Sequence, residues 1–179
     1  MRRTLILIAL VGLAAMASRA FVSPSPASVS APLCGVERWT VKTLGDRPSL
    51  LPVRPTTIAY LTSRPAPAFL PDTRLPFEHH VFRVHAFVDF IRPEADEDFH
   101  VVLSDTRGRT IITESPAPSC TSGATAYRRR QMATARAALR TCPGLATVTG
   151  VAFFDFFHGQ TGVAPNAIEL HPILAFRCG

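Results

Sequence analysis

The chain of 179 residues lacks several short motifs that would name a reaction. No Gly-x-Ser-x-Gly turn is present to lift a nucleophilic serine off a strand. No P-loop or Gly-x-Gly-x-x-Gly stretch is there to cradle phosphates, and no His-Glu-x-x-His to set two imidazoles on one helical face. The cysteines form no Cys-x-x-Cys pair, which argues against a zinc ribbon or a thioredoxin-type centre. There is no internal repeat. Function must therefore be read from how polar residues fall on a fold.

A long apolar run is also missing. The stretch from Leu5 to Ala15 is shorter than the roughly 20 residues that span a bilayer. Arg2 and Arg3 precede it, and the small residues Ala15, Ala17, Ser18 and Ala20 follow or close it. Residues 1–20 thus read as a secretory signal, with cleavage near Ala17 or Ala20. Cys34 is too distant for a lipoprotein anchor. The expected location is extracytoplasmic: secreted, periplasmic or in the cell envelope. The remaining 159 residues suffice for one domain with its own core. Arg2, Arg3 and Arg19 leave with the signal, which takes the net charge from +6 to +3. So mild a basic bias supports a nucleic-acid or membrane partner only weakly.

All four cysteines, Cys34, Cys120, Cys142 and Cys178, lie in the exported part. An even number in an oxidising compartment makes two disulfides the default, with three connectivities open.

Residues 21–33 form a Ser/Pro-rich spacer, extended or flexible. Residues 34–77 form a Pro-rich arm, with seven prolines between 46 and 77; it admits one short strand or turn at 56–62. The β signal begins at His79 and fills residues 78–179. Strands are expected from His79 to Phe90, over 99–104, 109–115, 146–157 and 167–176, from period-two alternation and turn residues. An acidic turn covers 92–98, and Asp105-Thr-Arg-Gly108 closes a hairpin. One helix is expected over 126–140, ended by Pro143 and Gly144. The order β-β-β-α-β-β predicts a mainly β fold, a small five-stranded barrel like the OB-fold, with a two-sheet sandwich as the alternative.

Period two places Asp98 and His100 on one strand face, and Glu169 and His171 on another. If these strands join one barrel, Asp98, His100, Glu114, Glu169 and His171 gather imidazole and carboxylate suited to a divalent metal such as zinc, manganese or iron. The ordinary structural reading competes. It has Asp98 and Asp105 serving turns, Glu169 pairing with an arginine such as Arg83, and His171 bonding backbone carbonyls. The loop His158-Gly-Gln-Thr-Gly-Val-Ala-Pro-Asn166 is longer than a tight hairpin. His158, Gln160, Thr161 and Asn166 offer it a polar ligand-binding set, unless the loop satisfies itself. Arg128-Arg-Arg130 reads mainly as a solvated helix face, and Phe153-Phe-Asp-Phe-Phe157 mainly as core.

These pieces resemble a group of uncharacterised exported bacterial proteins. The resemblance is carried by Cys34-Gly-Val-Glu-Arg-Trp-Thr-Val-Lys-Thr43, Arg54-Pro-Thr-Thr57, Asp98-Phe-His-Val-Val-Leu103, Ile111-Ile-Thr-Glu114, Pro118-Ser-Cys120 and above all the segment from Gly150 to Leu174. It implies export, a shared β-domain and the pairing Cys34–Cys120, leaving Cys142–Cys178. The chain departs at Glu97, where the group commonly has glycine or serine. In fold order alone the chain is also similar to staphylococcal-nuclease-like OB enzymes, and no catalytic residue is carried over from them. The leading functional expectation is a binding module for a polar or anionic ligand. A metal-dependent phosphodiester hydrolase and a structural envelope protein are the alternatives.

Overall fold

The computed structural model describes residues 34–35 and 37–179; the signal segment 1–20 and the spacer 21–33 lie outside them. Alternating apolar residues draw five strands into one sheet that closes on itself. In chain order the elements are α1 (Trp39–Lys42), β1 (Val53–Pro55), α2 (Ile58–Thr62), a 3-10 turn at Pro76–His79, β2 (Val81–Pro93), β3 (Phe99–Ser104) and β4 (Thr110–Ser115). A second 3-10 turn at Pro118–Cys120 follows, then α3 (Ala126–Ala138), β5 (Ala146–Phe154) and β6 (Ile168–Cys178). The barrel runs β2-β3-β4-β6-β5 and back to β2; β1 adds a sixth strand alongside β2. Of the five barrel pairings only β4–β6 is parallel, and α3 lies between the third and fourth barrel strands. This is the small OB-like barrel the element order predicts. Closure through β2–β5 puts the described strands in one sheet rather than the two of a sandwich.

Strand β2 makes closure possible. Its first half pairs with β5 through Val81–Ala86 partners, and its second half pairs with β3 from Phe87 onward. A register shift between Val88 and Phe90 bends the strand between its two neighbours. Where β5 crosses β6, Gly150 is required: a Cβ there would stand 2.8 Å from the Leu170 side chain. Glu97, in the acidic turn, has φ 66°, a left-handed conformation that glycine adopts more easily.

Phe82, Val84, Val101, Leu103, Ile111, Phe154, Ile168 and Leu170 fill the barrel interior. A second apolar cluster, with Leu44, Ala124, Met132, Val151 and Leu174, lies where the arm and α3 meet the barrel. The arm is more regular than its prolines suggest. Residues 56–62, expected as a strand or turn, form α2, because the Thr57 hydroxyl accepts from Tyr60 N and caps the helix. Its Ile58 and Leu61 join the main core. Strand β5 ends at Phe154 rather than 157, and α3 at Ala138 rather than 140. Disulfides join Cys34 to Cys120 and Cys142 to Cys178, so the start of the arm and the last strand are each stapled to the domain. Among the described residues no helix is long and apolar enough to cross a membrane.

The arm is held by a buried charge pair. The Arg38 guanidinium donates to both Glu78 oxygens at 2.7 Å, and also to the carbonyls of Phe154, Pro71 and Thr73. Glu78 accepts in addition from Leu75 N and Phe154 N. Both side chains are at most 1 % exposed. Removing one partner of such a pair strands the other charge, at a cost of about 3–5 kcal/mol. Glu78→Gln should therefore lower stability by that order in urea unfolding. The Arg38→Met/Glu78→Met double variant should lose less than the two single changes summed.

Candidate functional site

The site is assembled by register. On β3, β4 and β6 the interior is taken by Val101, Leu103, Ile111 and Leu170, so alternation turns His100, Glu114, Glu169 and His171 to the opposite face. His100 pairs across the ladder with Glu114. The parallel pairing of Ile112 with Glu169 and Thr113 with Leu170 then brings Glu114 level with His171. Asp98, just before β3, shares the His100 face. The arm covers this face from one side and the β5–β6 loop from the other. Gly162 in that loop packs so closely on Val102 that a Cβ would lie 2.5 Å from its methyl.

Glu114 is the hub. Its Oε1 stands 3.2 Å from His100 Nδ1, and its Oε2 stands 3.0 Å from His171 Nδ1. His171 Nε2 faces Asp98 Oδ2 at 3.6 Å, and His100 Nδ1 also approaches Glu94 at 3.4 Å. Asp98 Oδ1 accepts from Ala117 N. The Thr161 carbonyl lies 3.0 Å from His100 Nε2; a carbonyl only accepts, so this nitrogen carries a proton. Beside this group Lys42 donates to Asp155 at 2.9 Å and lies 5.4 Å from the Phe153 ring centre. His158 Nε2 contacts Glu37 at 3.0 Å.

Four of the five metal candidates meet: Asp98, His100, Glu114 and His171. Glu169 shares the buried face but belongs to neither group of ligand atoms that converge within 4.8 Å, Asp98/Glu114/His171 and Glu94/His100/Glu114. Nor does Glu169 pair with Arg83, which reaches Thr149 instead. Of the loop residues, His158 and Gln160 line a cleft, and exposed Thr161 contributes its carbonyl. Asn166 is the correction. It does not line that cleft: it is buried, its amide donates to the carbonyls of Leu61 and Arg64, and its Oδ1 accepts from Ile168 N, so the side chain ties the loop end to α2 and to β6. Lys42, Glu37, Trp39 and Glu94 escaped the sequence reading. Lys42 alone carried a signal, as the one lysine among 19 basic residues.

The cleft above the hub holds about 270 Å³ and is lined by Glu37, Trp39, Lys42, Glu94, Asp96, Glu114, His158 and Gln160, with Gly35. Two larger clefts beside α3 are lined by Tyr127, Gln131, Leu174 and Ala175, without an acid–base cluster. Carboxylates dominate the smaller cleft and the layer beneath it. Burial pulls the Lys42 ammonium down, but Asp155, then Glu114 and Glu169, outweigh it and push it up to about 12. Burial, then the neighbouring Glu114 and Asp155 charges, raises Glu169 well above the usual carboxylate range. Burial also pushes Asp98 up to about 6, against the pull of His171. Glu114 goes the other way: burial opposes its charge, but contacts from His100 and His171 hold its carboxyl well below the usual range. The His100 imidazole is desolvated, yet its bonds to Glu114 and Thr161 raise it.

No protein-family model matches the chain and no curated protein matches it, so the site is read from its own geometry.

These shifts fix how the stability of the metal-free protein depends on pH. Folding favours protonated Asp98, so stability falls as pH rises from about 4 through about 6, by about 3 kcal/mol for that displacement. Raised His100 adds stability that is present below its ordinary value of 6.5 and lost as pH climbs through its higher folded value. Lowered Glu114 acts oppositely: its contribution is present above 4.5 and lost as pH falls. With EDTA present, the urea midpoint should peak at about pH 4 to 4.5 and decline toward pH 8. Asp98→Asn should flatten that decline; a midpoint that climbs steadily to pH 8 would contradict these assignments.

Proposed function

We propose that the protein is an extracytoplasmic binding module whose ligand is polar and bears a cationic group, seated in the acidic cleft. The observation that carries this reading is the cleft's place and charge. It opens between the β2–β3 turn (Glu94, Asp96) and the β5–β6 loop (His158, Gln160), the rims from which OB barrels present their ligands. Its carboxylates outnumber its one lysine, and no arginine lines it. Like charge disfavours the anionic ligand that composition left open. Trp39 offers an aromatic face to an amine. Two disulfides and the leading signal-like segment support an oxidising, extracytoplasmic setting.

A second reading, the metal-dependent phosphodiester hydrolase, draws on the convergence of Asp98, Glu114 and His171. Such a cleft repels a phosphodiester unless a cation intervenes, so that reading depends on a bound metal.

The chain has a single tryptophan, and it lines the cleft, so Trp39 fluorescence reports on occupancy. Spermidine and glucosamine oligomers should quench or shift it with saturation, and inorganic phosphate should not. Asp96→Asn should weaken the cationic ligands roughly fivefold, about 1 kcal/mol for a partly exposed pair. Saturable binding of phosphate, or silence toward every amine, would sink the reading.

A further inference from the structure

The layer beneath the cleft contains polar atoms that no protein group satisfies. His171 is fully buried, and neither of its ring nitrogens makes a hydrogen bond. Asp98 Oδ2 is likewise buried and unpartnered. The two nitrogens face carboxylate oxygens, Glu114 Oε2 at 3.0 Å and Asp98 Oδ2 at 3.6 Å. The first contact is short but misaligned for a hydrogen bond, and the second is too long. A neutral imidazole has one N–H and one lone pair, so one nitrogen must turn its lone pair toward an acceptor-only oxygen. Leaving such groups buried and unpaired is costly. A cation removes the conflict, because the lone pair and the two carboxylates then become ligands of the same centre.

We propose that Asp98, Glu114 and His171 bind a divalent transition-metal cation at the floor of the cleft. Their ligand atoms lie within 4.8 Å of one another, and all three residues are buried. Two carboxylates and one imidazole form an oxygen-rich, borderline set suited to manganese, iron or zinc rather than to copper(I). His100 acts as the positioning residue. Its Nε2–H donates to the Thr161 carbonyl and its Nδ1 contacts Glu114 Oε1, leaving Oε2 turned to His171 and the cation. Glu114 also lines the cleft, so a ligand there comes within reach of the ion. Lys42, Asp155 and Glu169 complete the surroundings; the excess of carboxylate over lysine favours a positive guest. The site shares the cleft with the amine-binding reading but does not rest on it.

The test uses the mature, disulfide-bonded protein, free of affinity-tag histidines, stripped with EDTA and titrated with Mn²⁺ and Zn²⁺ by calorimetry. Metal content is measured after dialysis. One equivalent per chain is expected, with a higher unfolding temperature. Asp98→Asn and His171→Gln, checked for fold by circular dichroism, should each weaken the ion by more than about tenfold, while Asp72→Asn, exposed and outside the cleft, should leave it unchanged. Co²⁺ loaded into the unaltered protein should give visible absorption bands of a nitrogen/oxygen site, a readout needing no variant. No stoichiometric metal in the unaltered protein overturns the proposal, as does equal binding by folded Asp98→Asn and His171→Gln. Repeating the Trp39 amine titration in EDTA separates the two ideas, since a lost metal site leaves amine binding intact and failed amine binding leaves metal binding measurable.

Discussion

The Arg38–Glu78 pair is the constraint on which the rest of the molecule depends. A Pro-rich arm has few backbone donors with which to hold itself against a sheet, so a charged anchor with many bonds does that work. Arg38 reaches Glu78 and three carbonyls, Pro71 and Thr73 in the arm and Phe154 at the end of β5, and its guanidinium lies 4.7 Å from the Phe153 ring centre. Four residues on, Lys42 is thereby set over the same ring and against Asp155. The wall of the cleft is thus an extension of the anchor. Cys34–Cys120 ties the same arm to the chain just after β4, the strand that carries Glu114.

Beneath that cover lies an unusual allocation of charge. A small barrel ordinarily leaves carboxylates on its solvated face, yet here Asp98, Glu114, Asp155 and Glu169 are all buried. Their ionisation is divided rather than uniform. Glu114 stays charged because two imidazoles converge on it, while Glu169, two residues from His171 on the same face, is driven toward its neutral form. A site that separates neighbouring carboxyls in this way has one permanent anion at its centre and reserve acids around it.

Much of this was legible from sequence, and the limits have physical causes. Period two put Asp98 with His100 and Glu169 with His171 on shared faces, and the element order implied the barrel. What sequence does not carry is the pairing of β4 with β6, whose partners Ile112 and Glu169 are far apart in the chain. That single parallel contact decides that Glu114 meets His171. The arm concealed its share for another reason: its prolines masked the capped helix α2, and α1, one turn long, is too short to show a period, so Lys42 and Glu37 read only as part of the arm. Asn166 misled because its polarity suggested recognition, whereas its side chain anchors a buried loop end to α2 and β6.

The place of β6 in the barrel governs when the site comes into being. The last strand of the chain is not at an edge; it inserts between β4 and β5, and Cys178 at its end is bonded to Cys142. Until it docks, the barrel is open, His171 is absent from the Glu114 group and the β5–β6 loop has no far anchor. A chain threaded outward from its N-terminus would release these residues last. The acid–base group would then form only once the whole barrel has closed, so the cleft is a product of complete folding and cannot precede it.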